Sequence, residues 1–408
     1  MRSSIRHLPG SLIREVANAA LGRSDVLAFW FGESDEVTPA PVRQAAADAL
    51  LRGETFYSHN LGLAELREAL RHYTAGLHGD PGADRIAVTS SGVSALMTAM
   101  QLLVDAGDEV VVVTPVWPNL PAQPAILGGR VTRVALAPDA GGAWRLDLQR
   151  LLAAVTPATR VLLINAPNNP TGWTLTRSEQ QTLLDHCRRT GTWIVADEVY
   201  DRVWFGSPAP EKPVALPPPA DAVAAAAAPR RTGNAAPSFL DIASPEDRLI
   251  VVHSFSKSFL MTGWRLGWLV LPAGYLDAVG KLIEFNSSCA PVFVQRGGLA
   301  ALAMADDFVP QLVARLQAGR DALCPALAAL PGVQSAIPLG GMYAFFRAPG
   351  TGDSLAFAKH LVSAHGLGLA PGAAFGPEGE GWLRWCFASQ DPARLLTGVD
   401  RLRNALRL

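Results

Sequence analysis

The feature that most constrains the fold is a series of short apolar segments that recur between residues 85 and 270. The segments are RIAVTS, EVVVV, RVLLIN, TWIVAD, RLIVVHS and RLGWLV, and helix-like stretches separate them. Strands that are buried on both faces need not alternate polar and apolar residues, and such strands are typical of parallel sheets covered by helices. The sequence therefore predicts an α/β protein with a wound, mostly parallel sheet at its centre.

A second pattern begins after residue 285, where longer helical segments accompany short strands at 342–347 and 382–387. This change predicts a smaller α+β domain beside the sheet. We expect a large domain of residues 41–305 and a small domain of residues 1–40 together with 306–408. In the helix predicted at 308–330, Pro325 predicts a kink or a break, because its ring clashes with the preceding turn.

The predicted large domain is interrupted at residues 206–237 by a segment of biased composition. This segment contains eight prolines and eleven alanines, including three consecutive prolines and five consecutive alanines. Such a composition buries too little apolar surface to fix one conformation. We expect a mobile insertion at the surface.

The overall composition limits the partners of the protein. The 408 residues are 49% hydrophobic and 17% charged, with a formal net charge of −1. Binding to nucleic acid or to an anionic membrane surface requires a basic excess, which this chain lacks. No apolar segment approaches the roughly 20 residues of a membrane span. We therefore expect a globular protein that binds small molecules or copies of itself, with no nucleic acid and no membrane.

The four cysteines and the N-terminal segment indicate a reducing environment. Cys187, Cys289, Cys324 and Cys386 are far apart and lack the spacing of metal ligands. Buried free thiols are their ordinary interpretation. The first residues carry positive charge but no apolar core of an export signal. We expect no metal site and a cytoplasmic location.

Lysine is scarce in this chain, which leaves few candidates for a covalent lysine. The lysines are Lys212, Lys257, Lys281 and Lys359. Lys257 follows the segment RLIVVHS, where the carboxyl ends of parallel strands form ligand sites. A lysine at a strand end is more often a solvated loop residue than a catalyst. Arg265, eight residues further on, is either a bidentate phosphate ligand or one of many surface arginines.

Other polar and aromatic residues also follow predicted strands, each with an ordinary alternative. Residues 89–92 join a strand to a helix, a geometry that binds anions but that also fits a plain serine N-cap. Asp197 and Glu198 end a strand and are either site carboxylates or solvated loop acids. Residues 165–172 hold asparagines at a third strand end, which turn chemistry explains equally well. Trp117 is placed either to stack on a planar ligand or to pack in the core.

The motifs of the chain, in order, are YSHNLGLAELREAL, SSGVSAL, PVWPN, NAPNNPTG, DEVY, SFSKSFLMTGWRLGW and LRWCFA. Taken together in this order and spacing, they resemble the fold type I, class I and II pyridoxal-phosphate aminotransferases of the aspartate aminotransferase type. The resemblance extends from about residue 32 to residue 388 and omits mainly the insertion. It implies a three-layer α/β/α large domain with a mostly parallel seven-stranded sheet, plus the smaller α+β domain. It also implies a ping-pong exchange of an amino group between an amino acid and a 2-oxo acid.

The same resemblance implies three catalytic residues. Lys257 is implied to form the aldimine with pyridoxal 5′-phosphate and to move the proton of the reaction. Asp197, rather than Glu198, is implied to face the pyridine nitrogen, where a carboxylate favours the protonated ring. Tyr200 and Asn169 are implied to bind the phenolic oxygen of the cofactor.

Further contacts of the cofactor and the substrate are implied by the resemblance alone. The implied phosphate and ring contacts are Ser91, Gly92, Val93, Trp117, Ser254, Ser256 and Arg265. Tyr57 is implied to reach the phosphate of a neighbouring subunit, which makes a homodimer the functional unit. Arg384 is implied to bind the substrate α-carboxylate, and Gly32, Asn169 and Trp117 are further implied substrate contacts.

The chain departs from the family pattern at two positions. Val93 stands where many relatives carry a smaller residue, and His253 stands where a small or amide residue is common. For His253 a core or edge position is a better interpretation than a catalytic one. We identify no second arginine for a distal carboxylate, so the sequence does not establish aspartate as a substrate.

Two alternatives to an aminotransferase stay open on the sequence alone. A cysteine-conjugate β-lyase or an enzyme similar to a cyclopropane-carboxylate synthase uses the same scaffold, since fold and cofactor do not fix the reaction. A non-enzymatic, effector-sensing half of a transcription regulator is a remote alternative. Such regulators have a DNA-binding domain ahead of the aminotransferase-like part, whereas the resemblance here begins about 30 residues into the chain.

Overall fold

The computed structural model describes residues 1–6, 8–206 and 234–407. Most of the predicted insertion at 206–237, namely residues 207–233, lies outside the described residues. The expectation of a mobile insertion therefore stays a prediction.

The helices and strands alternate over the first two thirds of the chain, and helices dominate the last third. The α-helices are α1 (Ser3–Arg6), α2 (Leu12–Asn18), α3 (Ala40–Leu51), α4 (Ala64–His78), α5 (Gly92–Leu103), α6 (Asn119–Leu127), α7 (Leu148–Ala154), α8 (Arg177–Thr190), α9 (Phe255–Ser258), α10 (Leu276–Ser287), α11 (Val292–Ala303), α12 (Ala305–Ala328), α13 (Ser354–His365) and α14 (Pro392–Leu406). The β-strands are β1 (Leu27–Ala28), β2 (Ile86–Thr89), β3 (Glu109–Thr114), β4 (Arg130–Ala135), β5 (Ala137–Pro138), β6 (Trp144–Arg145), β7 (Thr159–Asn165), β8 (Trp193–Asp197), β9 (Leu249–Ser254), β10 (Gly267–Val270), β11 (Gln334–Ser335), β12 (Tyr343–Arg347), β13 (Leu367–Gly368), β14 (Ala370–Pro371) and β15 (Leu383–Cys386).

A seven-stranded sheet forms the centre of the molecule, in the order β2-β10-β9-β8-β7-β3-β4. The pairs from β9 to β4 are parallel, and β10 runs antiparallel to both of its neighbours. Six strands therefore point in one direction and one in the other. The prediction of a mostly parallel seven-stranded sheet is confirmed.

Both faces of this sheet are covered, which explains why its strands are apolar throughout. In β3, Val111 and Val113 face one apolar cluster, whereas Val110 and Val112 face a second cluster on the opposite side. Helices α4 and α8 contribute leucines to the first cluster, and α5 and α10 contribute apolar side chains to the second. Full burial of one such side chain contributes about 1.5–3 kcal/mol, so the three-layer arrangement is stabilised from both sides.

Local sequence signals explain where several helices begin and end. Helix α8 begins with a capping box in which the Thr176 and Glu179 side chains each bind the other's backbone N–H, and it ends at Gly191, whose φ is +74°. Helix α12 continues through Pro325 as far as Ala328, so the helix is not broken at the proline.

A second, four-stranded antiparallel sheet has the order β11-β12-β15-β14. Near the N-terminus, β1 pairs in parallel with β13, which brings the segment leading to Gly32 beside the C-terminal part of the chain. This second group of elements is of the α+β type that the sequence predicts. The domain limits of 41–305, and of 1–40 with 306–408, stay predictions.

Two negative findings apply to residues 1–6, 8–206 and 234–407. None of their helices combines the length and the apolar character that crossing a membrane requires. Their histidines, cysteines and acidic residues nowhere cluster in a way that could hold a metal ion.

Candidate active site

The carboxyl ends of the parallel strands gather the predicted site residues at one edge of the central sheet. Strand β7 ends at Asn165, β8 at Asp197 and β9 at Ser254, and the three strands are neighbours. The short helix α9 follows β9 directly and carries Lys257. A small open cleft lies beside this lysine and is lined by Glu33, Ser34, Glu36, Ser256, Lys257, Leu260, Thr262 and Met342.

Lys257 lies at this edge with its amine held in place. Its Nζ donates a hydrogen bond of 2.6 Å to the carbonyl oxygen of Gly32 and lies 5.6 Å from the centre of the Tyr200 ring. Burial lowers the pKa of Lys257 to about 8; Cys386 opposes this shift and Arg384 reinforces it. A lysine with a lowered pKa has a larger neutral fraction, which a proton acceptor or nucleophile needs.

The other described lysines are surface residues. Lys281 forms an exposed ion pair of 2.6 Å with Asp277, one helical turn away. Lys359 pairs with Glu15. Lys212 lies outside the described residues, so Lys257 is the candidate that the described part of the chain supports.

Asp197 and Glu198 are both buried, but they face different surroundings. The Asp197 carboxylate accepts one long hydrogen bond of 3.4 Å from the Val199 N–H, and the charge of Lys257 acts on it. Burial raises the pKa of Asp197 to about 7, since its hydrogen bond and Lys257 compensate only in part. Glu198 instead contacts the Ser238 hydroxyl at 2.5 Å and accepts from the Phe239 N–H at 3.1 Å. Asp197 is thus the carboxylate available to a ligand.

Arg384 is fully buried in β15 beneath the site. Its Nη1 donates a hydrogen bond of 2.9 Å to the Asn169 side chain, and its Nη2 donates to the carbonyl of Trp30. The guanidinium lies 4.4 Å from the Tyr343 ring and 4.9 Å from the Phe375 ring. Its Nε has no hydrogen-bond partner, and among the described residues no carboxylate lies within ion-pair distance. A buried cation without a counter-charge is unfavourable until an anion binds.

Tyr343 completes this group, although the sequence predicts only a strand there. Its hydroxyl lies 2.5 Å from the Tyr200 hydroxyl, and burial raises the pKa of both phenols above their ordinary value. A Cβ on Gly32 would lie 2.0 Å from the Tyr343 hydroxyl, so glycine is required where the chain passes. Cys386, interpreted from the sequence as an ordinary buried thiol, also lies here with its Sγ 3.5 Å from the Glu33 carbonyl.

The residues of the predicted phosphate site come from three segments that meet at the same edge. Gly267, the first residue of β10, pairs with both Thr89 and Ser254. A Cβ on Gly92 would lie 3.0 Å from the Ser254 Cβ, so the start of α5 packs directly on the end of β9. The approach is closer still at Gly267, where an added Cβ would lie 2.5 Å from the Gly92 nitrogen. The predicted anion site is therefore spatially compact.

The start of α5 is both a serine N-cap and a source of free amides. The Ser91 side chain accepts a hydrogen bond of 3.0 Å from the Ser94 N–H. The amides of Gly92 and Val93 precede the first intrahelical bond, so they are available to an anion. The Val93 side chain is exposed and does not crowd this turn.

Hydroxyl groups and an arginine border this turn. Ser254 Oγ donates to Ser256 Oγ at 2.9 Å and also accepts the Ser256 N–H at 3.1 Å. Arg265 adopts a left-handed backbone with φ +57° and donates a hydrogen bond of 2.6 Å to the Thr262 carbonyl. Burial lowers the pKa of Arg265, and its charge acts on Lys257.

The contacts of two predicted site residues, Trp117 and Tyr57, do not point to the site. Trp117 is half-buried and packs against both apolar clusters, so core packing describes its contacts in this chain. Tyr57 is 88% exposed and its neighbour Phe56 is 84% exposed. The fold of one chain therefore does not bury Tyr57 in the site.

Comparisons with known proteins agree with this architecture. The family model described as aminotransferase class I and II matches residues 25–402. An arginine–pyruvate transaminase of Pseudomonas aeruginosa is 31% identical over 388 residues, covering 94% of this chain and 88% of that protein. An aspartate aminotransferase of Pyrococcus horikoshii is 29% identical, covering 97% and 94%. The solved structure of a single mutant of Thermus thermophilus aspartate aminotransferase superimposes with a TM-score of 0.85 at 26% identity, covering 100% of this chain and 99% of that one.

Proposed function

This chain belongs to the class I and II aminotransferases, and on that premise we propose that Lys257, Asp197 and Arg384 form the active site of an amino-acid:2-oxo-acid aminotransferase. The predictions of the family and of the enzyme class are confirmed by the family match and by the named relatives. The observation that carries the proposed site is Arg384, a fully buried cation without an acidic partner among the described residues, whose charge acts on Lys257. An amino acid supplies the missing carboxylate and brings its amine toward the same edge.

The family implies pyridoxal 5′-phosphate, and the residues present fit this group. Asp197 is a buried carboxylate with one long hydrogen bond, which suits the protonated ring nitrogen. The free amides of Gly92 and Val93, with the nearby serine hydroxyls and Arg265, suit the phosphate. When bound, pyridoxal phosphate supplies an aldehyde and a ring that withdraws electrons from the substrate.

The side chains of this protein have separate tasks in the proposed reaction. Arg384 binds the substrate α-carboxylate through parallel N–H groups, and the Tyr343 ring supports its guanidinium. Lys257 Nζ accepts the proton from the substrate Cα and later returns it, which its pKa of about 8 favours relative to an exposed lysine. Asp197 keeps a proton at the ring nitrogen, and Tyr200 and Asn169 orient the ring oxygen.

The proposed reaction class is the transfer of an amino group from an amino acid to a 2-oxo acid. The names of the matching relatives specify arginine with pyruvate in one case and aspartate in another. Because these donors differ in charge, the names do not select one donor for this chain. We propose two half-reactions that share one site, in which an amino acid gives up its amine and a 2-oxo acid then receives it.

Two measurements test this proposal. Borohydride reduction of the protein with pyridoxal phosphate, followed by peptide mapping, is expected to place the label on Lys257. A label on Lys281 or Lys359 contradicts the assignment. Product formation is expected to require an added 2-oxo acid, and release of ammonia with a 2-oxo acid in its absence identifies a lyase instead.

We propose further that the functional unit is a homodimer in which Tyr57 serves the neighbouring site. The exposure of the adjacent side chains of Phe56 and Tyr57 supports this, because contiguous exposed apolar surface is typical of protein–protein interfaces. Tyr57→Ala is expected to weaken cofactor binding, and light scattering is expected to give the mass of a dimer. A monomer with full cofactor affinity contradicts the proposal. The four cysteines are all free, which supports the proposed cytoplasmic location.

A further inference from the structure

Five ionisable side chains are buried behind the site, and the proposed reaction does not use them. We call this group the buried ion cluster: His78, Glu198, Asp201, Asp241 and His253. Its members come from the end of α4, the turn that follows β8, the 3-10 turn Phe239–Asp241 and strand β9. Burying this many ionisable groups is unfavourable unless they pair with one another.

The contacts of the cluster converge on Asp201 and His78. The Asp201 Oδ2 lies 3.9 Å from His78 Nε2 and 3.8 Å from His253 Nδ1. The Nδ1 of His78 lies 3.0 Å from Asp241 Oδ1. His78 thus lies between the turn after β8 and the 3-10 turn at Asp241 and is within 4 Å of an acidic side chain in each.

Charges within the cluster are complementary. Burial alone would lower the pKa of His78, but the carboxylates of Asp201 and Asp241 outweigh it and raise the pKa to about 9. His78 is therefore a buried cation between two carboxylates at neutral pH. Burial lowers the pKa of His253 to about 4, so this ring is neutral, and it stacks on Trp268 at 4.9 Å.

Two cations complete the surroundings of the cluster. Arg177, at the start of α8, lies 3.1 Å from Asp241 Oδ2. Arg202 is buried beside Asp201 and donates to the Tyr73 hydroxyl at 3.2 Å and to the Asn234 carbonyl at 3.1 Å. Burial raises the pKa of Glu198 to about 8, which favours its protonated form relative to that of an exposed glutamate.

The cluster and the active site share one turn of the chain. The turn is closed by a hydrogen bond of 2.9 Å from the Asp201 N–H to the Glu198 carbonyl. Glu198 and Asp201, three residues apart, point into the cluster, whereas Asp197 and Tyr200, also three residues apart, point toward Lys257. Any displacement of Asp201 therefore moves the two site residues on the other side of the same turn.

We propose that His78 is a positioning residue, which holds Asp197 and Tyr200 in register with the cofactor by tying Asp201 to Asp241. The inference rests on the proposed function, because its effect is exerted on cofactor binding. His78 touches neither cofactor nor substrate in this scheme. Its role is to fix the back of the turn, because its ring lies 3.9 Å from Asp201 on one side and 3.0 Å from Asp241 on the other.

The test compares variants of the full chain in their binding of pyridoxal phosphate. His78→Gln removes the cation, and the double variant His78→Gln with Asp241→Asn also removes the negative charge of Asp241. Leu402→Ala, at a fully buried position of α14, is the matched control for loss of stability. Equilibrium dialysis gives the dissociation constant of the cofactor, visible absorbance gives the midpoint pH of its titration, and thermal unfolding gives the stability of each cofactor-free protein.

We expect His78→Gln to raise the dissociation constant at least tenfold and to move the absorbance midpoint, while Leu402→Ala changes neither at a comparable loss of thermal stability. If His78→Gln does not fold, the double variant is expected to fold and to show the same two changes. A wild-type dissociation constant and midpoint in the folded His78 variant overturn the proposal, as does an equal loss in the Leu402 control. If the wild-type protein does not bind pyridoxal phosphate, the proposed function is wrong and this inference is wrong with it. If the wild-type protein binds the cofactor and the folded His78 variant binds it equally well, only this inference is wrong.

Discussion

At the scale of single residues, the site is a set of buried charged side chains that lack close partners of opposite charge among the described residues. Arg384 has no carboxylate partner among the described residues, and Asp197 has one long hydrogen bond. Lys257 is held by a backbone carbonyl instead of an acid. Such charges reduce the stability of the cofactor-free protein and are stabilised when ligands of opposite charge bind, which is the expected compromise between stability and binding.

Asp197→Asn tests this compromise through its pH dependence. The folded-state pKa of Asp197 is raised to about 7, so ionising it in the fold is unfavourable, an effect absent below about pH 4 and complete above pH 7. We expect Asn, which is neutral, to stabilise the cofactor-free protein at pH 8 by up to about 4 kcal/mol, since one pKa unit corresponds to about 1.4 kcal/mol. Thermal unfolding of the variant and the wild-type protein at pH 4.5 and pH 8 measures this difference in stability.

The same variant is expected to bind pyridoxal phosphate more weakly, because a neutral amide does not favour a protonated ring nitrogen. The gain in unfolding temperature should be much smaller at pH 4.5 than at pH 8. An equal change at both values of pH, or a loss of stability at pH 8, contradicts the assignment of Asp197 as an unpaired buried carboxylate.

Arg384→Lys separates substrate binding from cofactor binding. Lysine keeps the charge but loses the planar pair of donors, the hydrogen bond to Asn169 and the contact with the Tyr343 ring. We expect the KM for the amino acid to rise about 100-fold, equivalent to about 3 kcal/mol, with little change in the dissociation constant of the cofactor. Steady-state kinetics and dialysis measure the two quantities, and a similar loss in both indicates that Arg384 is structural.

At the scale of elements, the sequence predicts most of the central sheet, because buried parallel strands are apolar and short. The end of α12 is different: of the kink or break that Pro325 predicts, the break is wrong, because the helix continues to Ala328, and the kink stays a prediction. A proline removes one hydrogen bond, and the tertiary packing of Leu323 and Leu327 outweighs that loss. The pairing of β1 with β13 could not be predicted, since it joins two short segments about 340 residues apart.

Gly267→Ala tests whether the close approach of β10 to α5 shapes the anion site. An added methyl group would lie 2.5 Å from the Gly92 nitrogen and 2.8 Å from the His253 carbonyl, so the start of α5 must move. We expect a loss of about 1–3 kcal/mol in the free energy of unfolding and weaker binding of pyridoxal phosphate. Gly263→Ala is the matched control, because nothing lies within 4 Å of its added Cβ. Equal effects of the two substitutions on cofactor binding contradict this role of Gly267.

At the scale of the whole molecule, the site draws on residues from Gly32 to Arg384, so only the complete fold assembles it. The motifs identify the residues that follow strands, because each motif lies in one short stretch of sequence. They do not identify Tyr343, which the sequence marks only as part of a strand, or the contacts of Glu198 with Ser238 and Phe239. Contacts of this kind depend on how distant elements pack, which local patterns do not encode.

Replacing the segment at 207–233 is a test at this scale, because hydrogen bonds hold the chain on both sides of the segment. The Asn234 side chain donates a hydrogen bond of 3.1 Å to the Trp204 carbonyl, and the Ala236 N–H donates to the Asp201 carbonyl at 2.8 Å. The two flanks are therefore close enough for a short link, and shortening a loop changes its closure entropy only slowly with length. Replacement of residues 207–233 by a short glycine–serine linker is expected to leave the unfolding temperature and cofactor affinity unchanged. A glycine–serine segment of the original length is the control for composition. Aggregation of the short-linker protein, with a well-behaved control, contradicts the interpretation of this segment as a surface insertion.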